Sequence, residues 1–334
     1  MSYPQLYFDP MTNHPQPLQI DGPYTHSNLS LYLLTLPETE TSTASPCFLP
    51  LDRAIREQAV VVHETGEVGR LEVENLSPDV DVLIQDGDIV RGGRQDRVVR
   101  IDFILPAKSG RLPLPTFCVE KRRWGKRGAE AAHHFSGSSH VLSARSVRAS
   151  MRYGQANQGW MWDEVSKLQA KLSSSVHENV AACASPSSMD LSLDHQALAR
   201  RRQEIRQKLG GLRQEHPRAT GLLVAINGRM TGGDLYFSGE LFSQLWERLL
   251  DAAANESVGE LLQFTKPQLD RLPPAPQLAD LVRQSLQLEE RQLHELPPRT
   301  RITFRHGQGQ RVFTTRDAGR AGEPVRTAIE FLQA

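Results

Sequence analysis

The spacing of apolar positions changes along the chain, from a period of two in the first half to a helical period after residue 143, with a return to strands later. Residues 29–36 (LSLYLLTL) are apolar on both faces, the pattern of a buried strand. Pro50 opens a short helix through Gln58, with Leu51, Ala54 and Ile55 facing inward and Asp52 and Glu57 on its polar face. Strands are predicted at 60–63 and 71–75. Segments 80–85 and 89–90, joined at Asp86-Gly87, read as a hairpin. After Gly92-Gly93 the alternation sharpens. Val99, Ile101, Phe103 and Leu105 point one way and Val98, Arg100, Asp102 and Ile104 the other, which predicts one strand with a single buried face. Pro113 and Pro115 interrupt the next strand, which ends at Cys118, and put it at a sheet edge or outside the ladder.

Met161, Val165, Leu168 and Leu172 recur at helical spacing and predict an amphipathic helix. Residues 173–192 are rich in serine with one proline, which reads as a loop or mobile linker. Leu198, Ile205 and Leu209 mark a basic, weakly apolar helix that stops at Gly210-Gly211. A buried strand at 221–226, the Asn227-Gly228 turn and a return through 235–237 form a second β segment. Ser238 then caps a helix whose stripe is Leu241, Phe242, Leu245, Trp246, Leu249 and Leu250. Prolines punctuate the rest: one helix near 277–294, then strands at 300–305 and 310–315 around a loop at 306–309. Residues 1–17 carry four prolines and read as an extended arm, and 37–46 as a polar loop. Strands first, helices in the middle and strand–turn–strand–helix afterwards predict an α+β fold with a mainly antiparallel sheet and helices inserted in the second half. The domain reading is one α+β domain over 18–264, with a Ser-rich loop near 173–192. A helix and strand extension over 265–334 packs on the same domain.

Composition narrows what this fold can do. Thirty-nine basic residues balance 39 acidic ones, so no global field draws the chain to nucleic acid or to a membrane surface. Few aromatics also argue against nucleic acid. No run approaches the length of apolar residues needed to cross a bilayer. Cys47, Cys118 and Cys183 are far apart, which fits reduced thiols and a cytoplasmic setting. The start of the chain lacks the basic and apolar regions of a signal peptide.

The candidate chemistry lies between residues 83 and 124. Arg91-Gly92-Gly93-Arg94-Gln95-Asp96-Arg97 combines glycines that let backbone N–H groups gather on an anion with arginine forks suited to carboxylate or phosphate. The plain alternative is a β-bulge or wide turn whose charges are solvated or pair with Asp96. In Cys118-Val119-Glu120-Lys121-Arg122-Arg123-Trp124, Glu120 could be a positioned base or a salt-bridged structural carboxylate. Trp124 could stack on a ring or anchor the core. Residues 121–127 form a basic run, and Arg145, Arg148 and Arg152 form one basic helix face, of a kind that is usually solvated but that here follows the basic run and could extend the same patch. Gly232-Gly233-Asp234 closes the second hairpin. His133, His134 and His140 lack a metal-ligand spacing, and the P-loop and dinucleotide fingerprints are absent, so the sequence identifies no metal and no cofactor.

The runs DGDIVRGGRQDRVV, CVEKRRW and INGRMTGGDLYFSGELFSQLW resemble the ARG and Rhodanese-Phosphatase-superfamily-associated Protein domain family. The resemblance spans roughly 20–260, concentrated in 84–124 and 222–250; the 173–192 segment and the stretch past 265 lie outside it. Asp86, Gly87, Gly92, Gly93, Gln95, Asp96, Arg97, Cys118, Glu120, Arg123 and Trp124 match the first island, and Asn227, Gly228, Asp234 and Phe237 the second. The family's association with ADP-ribosylglycohydrolases and phosphatase-superfamily proteins implies a place in ADP-ribose or NAD-related metabolism. It supplies no catalytic residue.

Two functional expectations follow. In the first, the chain binds, and could process, an anionic nucleotide or phosphosugar of the ADP-ribose type. Gly92, Gly93, Arg94, Gln95, Arg97, Arg122, Arg123, Trp124 and Asp234 hold this phosphate-containing small ligand, and Asp96 or Glu120 acts as the general base. In the second, the chain is a non-catalytic protein-interaction domain whose charged motif is structural. Internal pairing of Asp96, Glu120 and the arginines, with no cleft around the set, is the sign of the second.

Overall fold

The computed structural model describes residues 18–37, 48–130, 133–261, 266–307 and 309–332. The arm at 1–17 lies outside these residues, as does nearly all of the loop at 37–46. The chain forms a mixed α+β structure whose sheets are antiparallel apart from one short parallel pairing, Leu49–Pro50 with Val82–Ile84. It divides into two compact units. One comprises 1–47, 211–246 and 266–334, and the other 48–210 and 247–265. Each draws on separated stretches of sequence.

In the first unit, eight strands form one antiparallel sheet. The order is Gln19–His26, Leu29–Thr35, Gly221–Ile226, Arg229–Tyr236, Glu323–Phe331, Gln310–Asp317, Thr300–Gly307 and Arg291–Leu296. Leu29–Thr35 is buried on both faces, as its unbroken apolar run requires, and is paired along both edges. Asn227 (φ 54°) and Gly228 (φ 80°) make the left-handed turn expected between two paired strands. Gly228 also has no alternative, since a Cβ there would lie 1.9 Å from the Gln268 carbonyl oxygen. Ser238 caps the next helix, its hydroxyl accepting from Leu241 N at 3.2 Å. The helix Ala275–Gln287 lays Leu278 and Val282 against Tyr32, Leu34, Leu223 and Leu235. It stops well short of 294, and residues 291–296 form an edge strand instead.

The second unit contains a six-stranded sheet in the order Phe135–Val141, Asp88–Gly92, Arg97–Val99, Gly110–Cys118, Arg70–Asn75, Val60–Glu67. A three-stranded sheet joins Leu49–Pro50, Val82–Ile84 and Phe103–Leu105. The segments flanking Asp86-Gly87 therefore do not pair with each other. Val82–Ile84 pairs with Phe103–Leu105, while Asp88–Gly92 pairs with Arg97–Val99. The single strand predicted across 98–105 is split between the two sheets for a related reason. Asp102 turns inward at the break and accepts from Asp86 N at 2.8 Å. Pro113 and Pro115 are tolerated because the ladder changes partner along Gly110–Cys118: residues 110–115 pair with Arg70–Asn75, residues 116–118 with Arg97–Val99.

Behind this sheet the helix Gln158–Val176 buries Met161, Val165 and Leu172 in a core with Ile89, Val98, Phe117 and Val119. Each such side chain contributes roughly 1.5–3 kcal/mol on burial. The serine-rich segment after it is packed rather than loose. Val180 and Met189 sit in that same core, and Ser188 caps a short helix, Met189–Leu193.

Candidate functional site

The two polar clusters meet. Cys118 lies opposite Arg97 in the ladder, and Val119 N donates to the Asp96 carbonyl at 3.1 Å, so residues 91–97 and 118–127 share one end of the six-stranded sheet. Gly93 permits the approach. It sits at φ 53°, and a Cβ there would lie 2.3 Å from the Phe135 ring and 2.8 Å from a Glu64 carboxylate oxygen.

Three backbone N–H groups in 92–96 are taken up by the chain's own carboxylates, Asp96 among them, which is the plain alternative for this run. Gly92 N donates to Asp96 Oδ1 at 3.0 Å, Arg94 N to Glu64 Oε2 at 3.0 Å and Asp96 N to Glu120 Oε2 at 2.9 Å. Arginines close the remaining oxygens. Arg127 Nη1 lies 3.1 Å from both Asp96 Oδ2 and Glu120 Oε1, and Arg127 also holds Glu130 at 2.7 Å. Arg123 Nε makes an ion pair with Glu120 Oε1 at 2.6 Å, and its Nη2 lies 3.4 Å from Asp96. The Ser188 hydroxyl donates to Asp96 Oδ2 at 2.7 Å, and the Gln95 amide to the Glu120 carbonyl at 2.9 Å. Both carboxylates are 0 % exposed.

The pair is electrostatically unequal. Burial and then the Glu120 charge push the Asp96 carboxyl above its ordinary value, against the pull of Arg127 and Ser188. Burial also pushes Glu120 upward. There, Arg123, the Ser185 hydroxyl and the Asp96 N–H outweigh it and leave the carboxyl below its ordinary value. Cys118 is buried beside them with its thiol pushed up by burial, and it donates to the Glu120 carbonyl. It stays a thiol at neutral pH rather than a nucleophilic thiolate.

The other expected site residues divide by exposure. Arg97 is fully buried; its Nη1 donates to the Gln95 carbonyl at 2.8 Å, and burial holds its pKa below the ordinary value. Asp234 belongs to the first unit, where it is buried in an ion pair with Arg326 at 2.5 Å. Arg94, Arg122 and Trp124 reach solvent, with the Arg94 guanidinium 5.1 Å from the centre of the half-exposed Trp124 indole. Lys121 holds its ammonium 5.5 Å over Trp162, and Lys126 is exposed.

Several participants are invisible to local sequence reading. Ser185 and Ser188 come from a stretch that reads as a linker, and Arg127 reads only as one of a basic run. Arg91 pairs with Asp190 and, at 2.6 Å, with Asp194, which His140 also contacts at 2.8 Å. The basic face of 145–152 is not solvated. Arg148 and Arg152 are buried on Asp86 at 2.9 and 2.7 Å, while Arg248 joins Asp52 and Asp88. Among the described residues no group of three or more His, Cys, Asp or Glu is placed to hold a metal ion.

The model of the ARG and Rhodanese-Phosphatase-superfamily-associated Protein domain matches residues 17–318. The chain belongs to that family. The match includes the 173–192 segment and continues past 265, so the domain extends beyond the two islands legible by eye. No curated protein and no solved structure matches the chain. In this family member the buried charge cluster and the outward cations are contributed by one unit, 48–210 with 247–265.

Proposed function

We propose that this unit binds an anionic, phosphate-bearing ligand through its outward cations, and that Asp96 and Glu120 lock the loop presenting them. The observation that carries this reading is the sorting of charge. Every oxygen of the buried acid pair is met by an arginine, a serine or a backbone N–H. Arg94, Lys121, Arg122 and Lys126 make no ion pair among the described residues. A protein of zero net charge thus carries four cations without an ion-pair partner on residues 94 and 121–126, segments joined where Gly125 N donates to the Arg94 carbonyl at 3.2 Å, with Arg94 laid over the half-exposed Trp124 indole. Guanidinium and ammonium groups supply charge-assisted donors to phosphate, and the open face of Trp124 supplies a stacking surface for a ring. A ligand of the ADP-ribose type, which the sequence resemblance suggests, offers both.

Calorimetric titration with ADP-ribose tests the reading. The wild type is expected to bind, and Trp124→Ala to weaken binding by about tenfold, in line with roughly 1–3 kcal/mol for loss of a stacking partner. Absence of any heat with the wild type rejects it.

A second reading is favoured by the unequal carboxyls. Adjacent acids with pKa values driven apart are the arrangement used for paired acid and base roles, with Glu120 ionised and Asp96 the readier to carry a proton. Its test is turnover. Release of ribose phosphate or free nucleotide from ADP-ribose, abolished in Glu120→Gln at a temperature where that variant remains folded, supports acid–base chemistry; no turnover removes it.

A further inference from the structure

We infer that Arg122 is the residue that selects the ligand at this outward face, and that the group it selects is a diphosphate; the inference rests on the binding reading above. Residue 122 stands at φ 77°, in the left-handed region where Cβ crowds the following carbonyl. Nearby, the chain meets the same demand with glycine, at Gly93 (φ 53°) and Gly128 (φ 55°). The space a Cβ would fill at Gly128 is open, so glycine there answers the backbone alone. At 122 the same kind of backbone carries a long cationic side chain.

That side chain is exposed and makes no ion pair or hydrogen bond with any described residue. The next residue marks the contrast. Arg123 turns inward on Glu120 and on the Gly92 and Gly93 carbonyls, and so serves the fold. Arg122 adds backbone strain and no internal ion pair or hydrogen bond among the described residues, which leaves its use outside the chain. Lys121 and Arg94 are each laid over an indole, whereas Arg122 presents an unheld planar fork, the geometry suited to two oxygens of one phosphate. With Lys126, four cations that lack a carboxylate partner lie on residues 94 and 121–126, segments joined by the bond from Gly125 N to the Arg94 carbonyl. Such a surplus favours the double charge of a diphosphate over the single charge of a carboxylate.

Lys108 provides an internal control. It is also a left-handed, exposed cation (φ 51°), but it lies on the turn between Phe103–Leu105 and Gly110–Cys118, and its Ser77 contact runs through its backbone N–H. Thermal melts and calorimetry are run with the wild type, Arg122→Gly, Arg122→Lys and Lys108→Gly, using ADP-ribose as the diphosphate probe and ribose 5-phosphate beside it.

Both glycine variants are expected to gain about 1–3 °C in Tm through relief of the left-handed strain. Only Arg122→Gly is expected to lose about tenfold or more in ADP-ribose affinity, with Arg122→Lys losing part of it and ribose 5-phosphate binding the wild type more weakly. Undiminished ADP-ribose binding by Arg122→Gly, or an equal loss in Lys108→Gly, overturns the role of Arg122 while the site reading stands. Equal affinity for ribose 5-phosphate overturns the diphosphate assignment. A wild type that binds neither probe overturns the site reading itself.

Discussion

Ser188 and Asp194 show how single side chains tie the 173–194 segment into the charged cluster. Ser188 donates to a carboxylate that has no solvent to turn to, so Ser188→Ala leaves Asp96 short of a donor in a buried site. Removal of such a hydrogen bond costs about 1.5–3 kcal/mol, and urea unfolding of the variant should show a lower midpoint and an unfolding free energy smaller by that amount. Asp194 illustrates the pH side. Burial raises its carboxyl, but His140 and Arg91 more than reverse this and lower it from 3.8 to about 2. A depressed folded-state value gives stability that is complete above the unfolded value and disappears as pH falls through the folded one. The difference in unfolding free energy between wild type and Asp194→Asn should therefore be flat above about pH 5 and shrink steadily toward pH 2. Asp194 is nearly half exposed, so solvent screening holds the difference to about 1 kcal/mol at neutral pH. A gap that widens on acidification contradicts the ion pairs.

At the scale of elements, the segment between Val180 and Met189 behaves as packed structure. Met189 N donates to the Val119 carbonyl at 3.2 Å, and Glu120 bridges to Ser188. Hydrogen exchange should protect the Met189 amide to the same order as amides of the helix Gln158–Val176; exchange at the rate of an unstructured peptide would show a true linker. This segment also marks the limit of sequence reading. Elements whose cause is local are legible: the Met161, Val165, Leu172 stripe, the Asn227-Gly228 turn and the Ser238 cap each depend on residues within one or two turns. Elements fixed by distant partners are not. The Asp86-Gly87 turn looks like a hairpin until Arg148 and Arg152, some sixty positions on, draw its carboxylate inward. Glu323–Phe331 hides its strand character because Arg326 and Thr327 face the interior, where Asp234 and Thr314 satisfy them. Of the candidate site, the residue types were readable and their orientation was not. Alternation along the chain cannot say that Arg97 and Arg123 turn inward while Arg94 and Arg122 turn out.

For the molecule as a whole, a neutral chain keeps its acids and arginines in buried pairs in both units. Asp234 with Arg326 and Asp317 with Arg299 lie in the first, Asp86, Asp96 and Glu120 with their arginines in the second. Breaking one partner of a buried pair costs about 3–5 kcal/mol, so Glu120→Gln should lower Tm steeply, whereas Lys126→Gln on the outward face should leave it within about 1 °C. The central claim is that acids inside hold the fold and cations outside hold the ligand. Its most direct test is the ADP-ribose-induced rise in Tm, measured for the wild type, for Glu120→Gln and for the double variant Arg94→Gln/Lys126→Gln. The account predicts a rise for the wild type, a smaller but measurable rise above a lowered baseline for Glu120→Gln, and none for the double variant despite its unchanged baseline. A rise that survives in the double variant and vanishes in Glu120→Gln would contradict it.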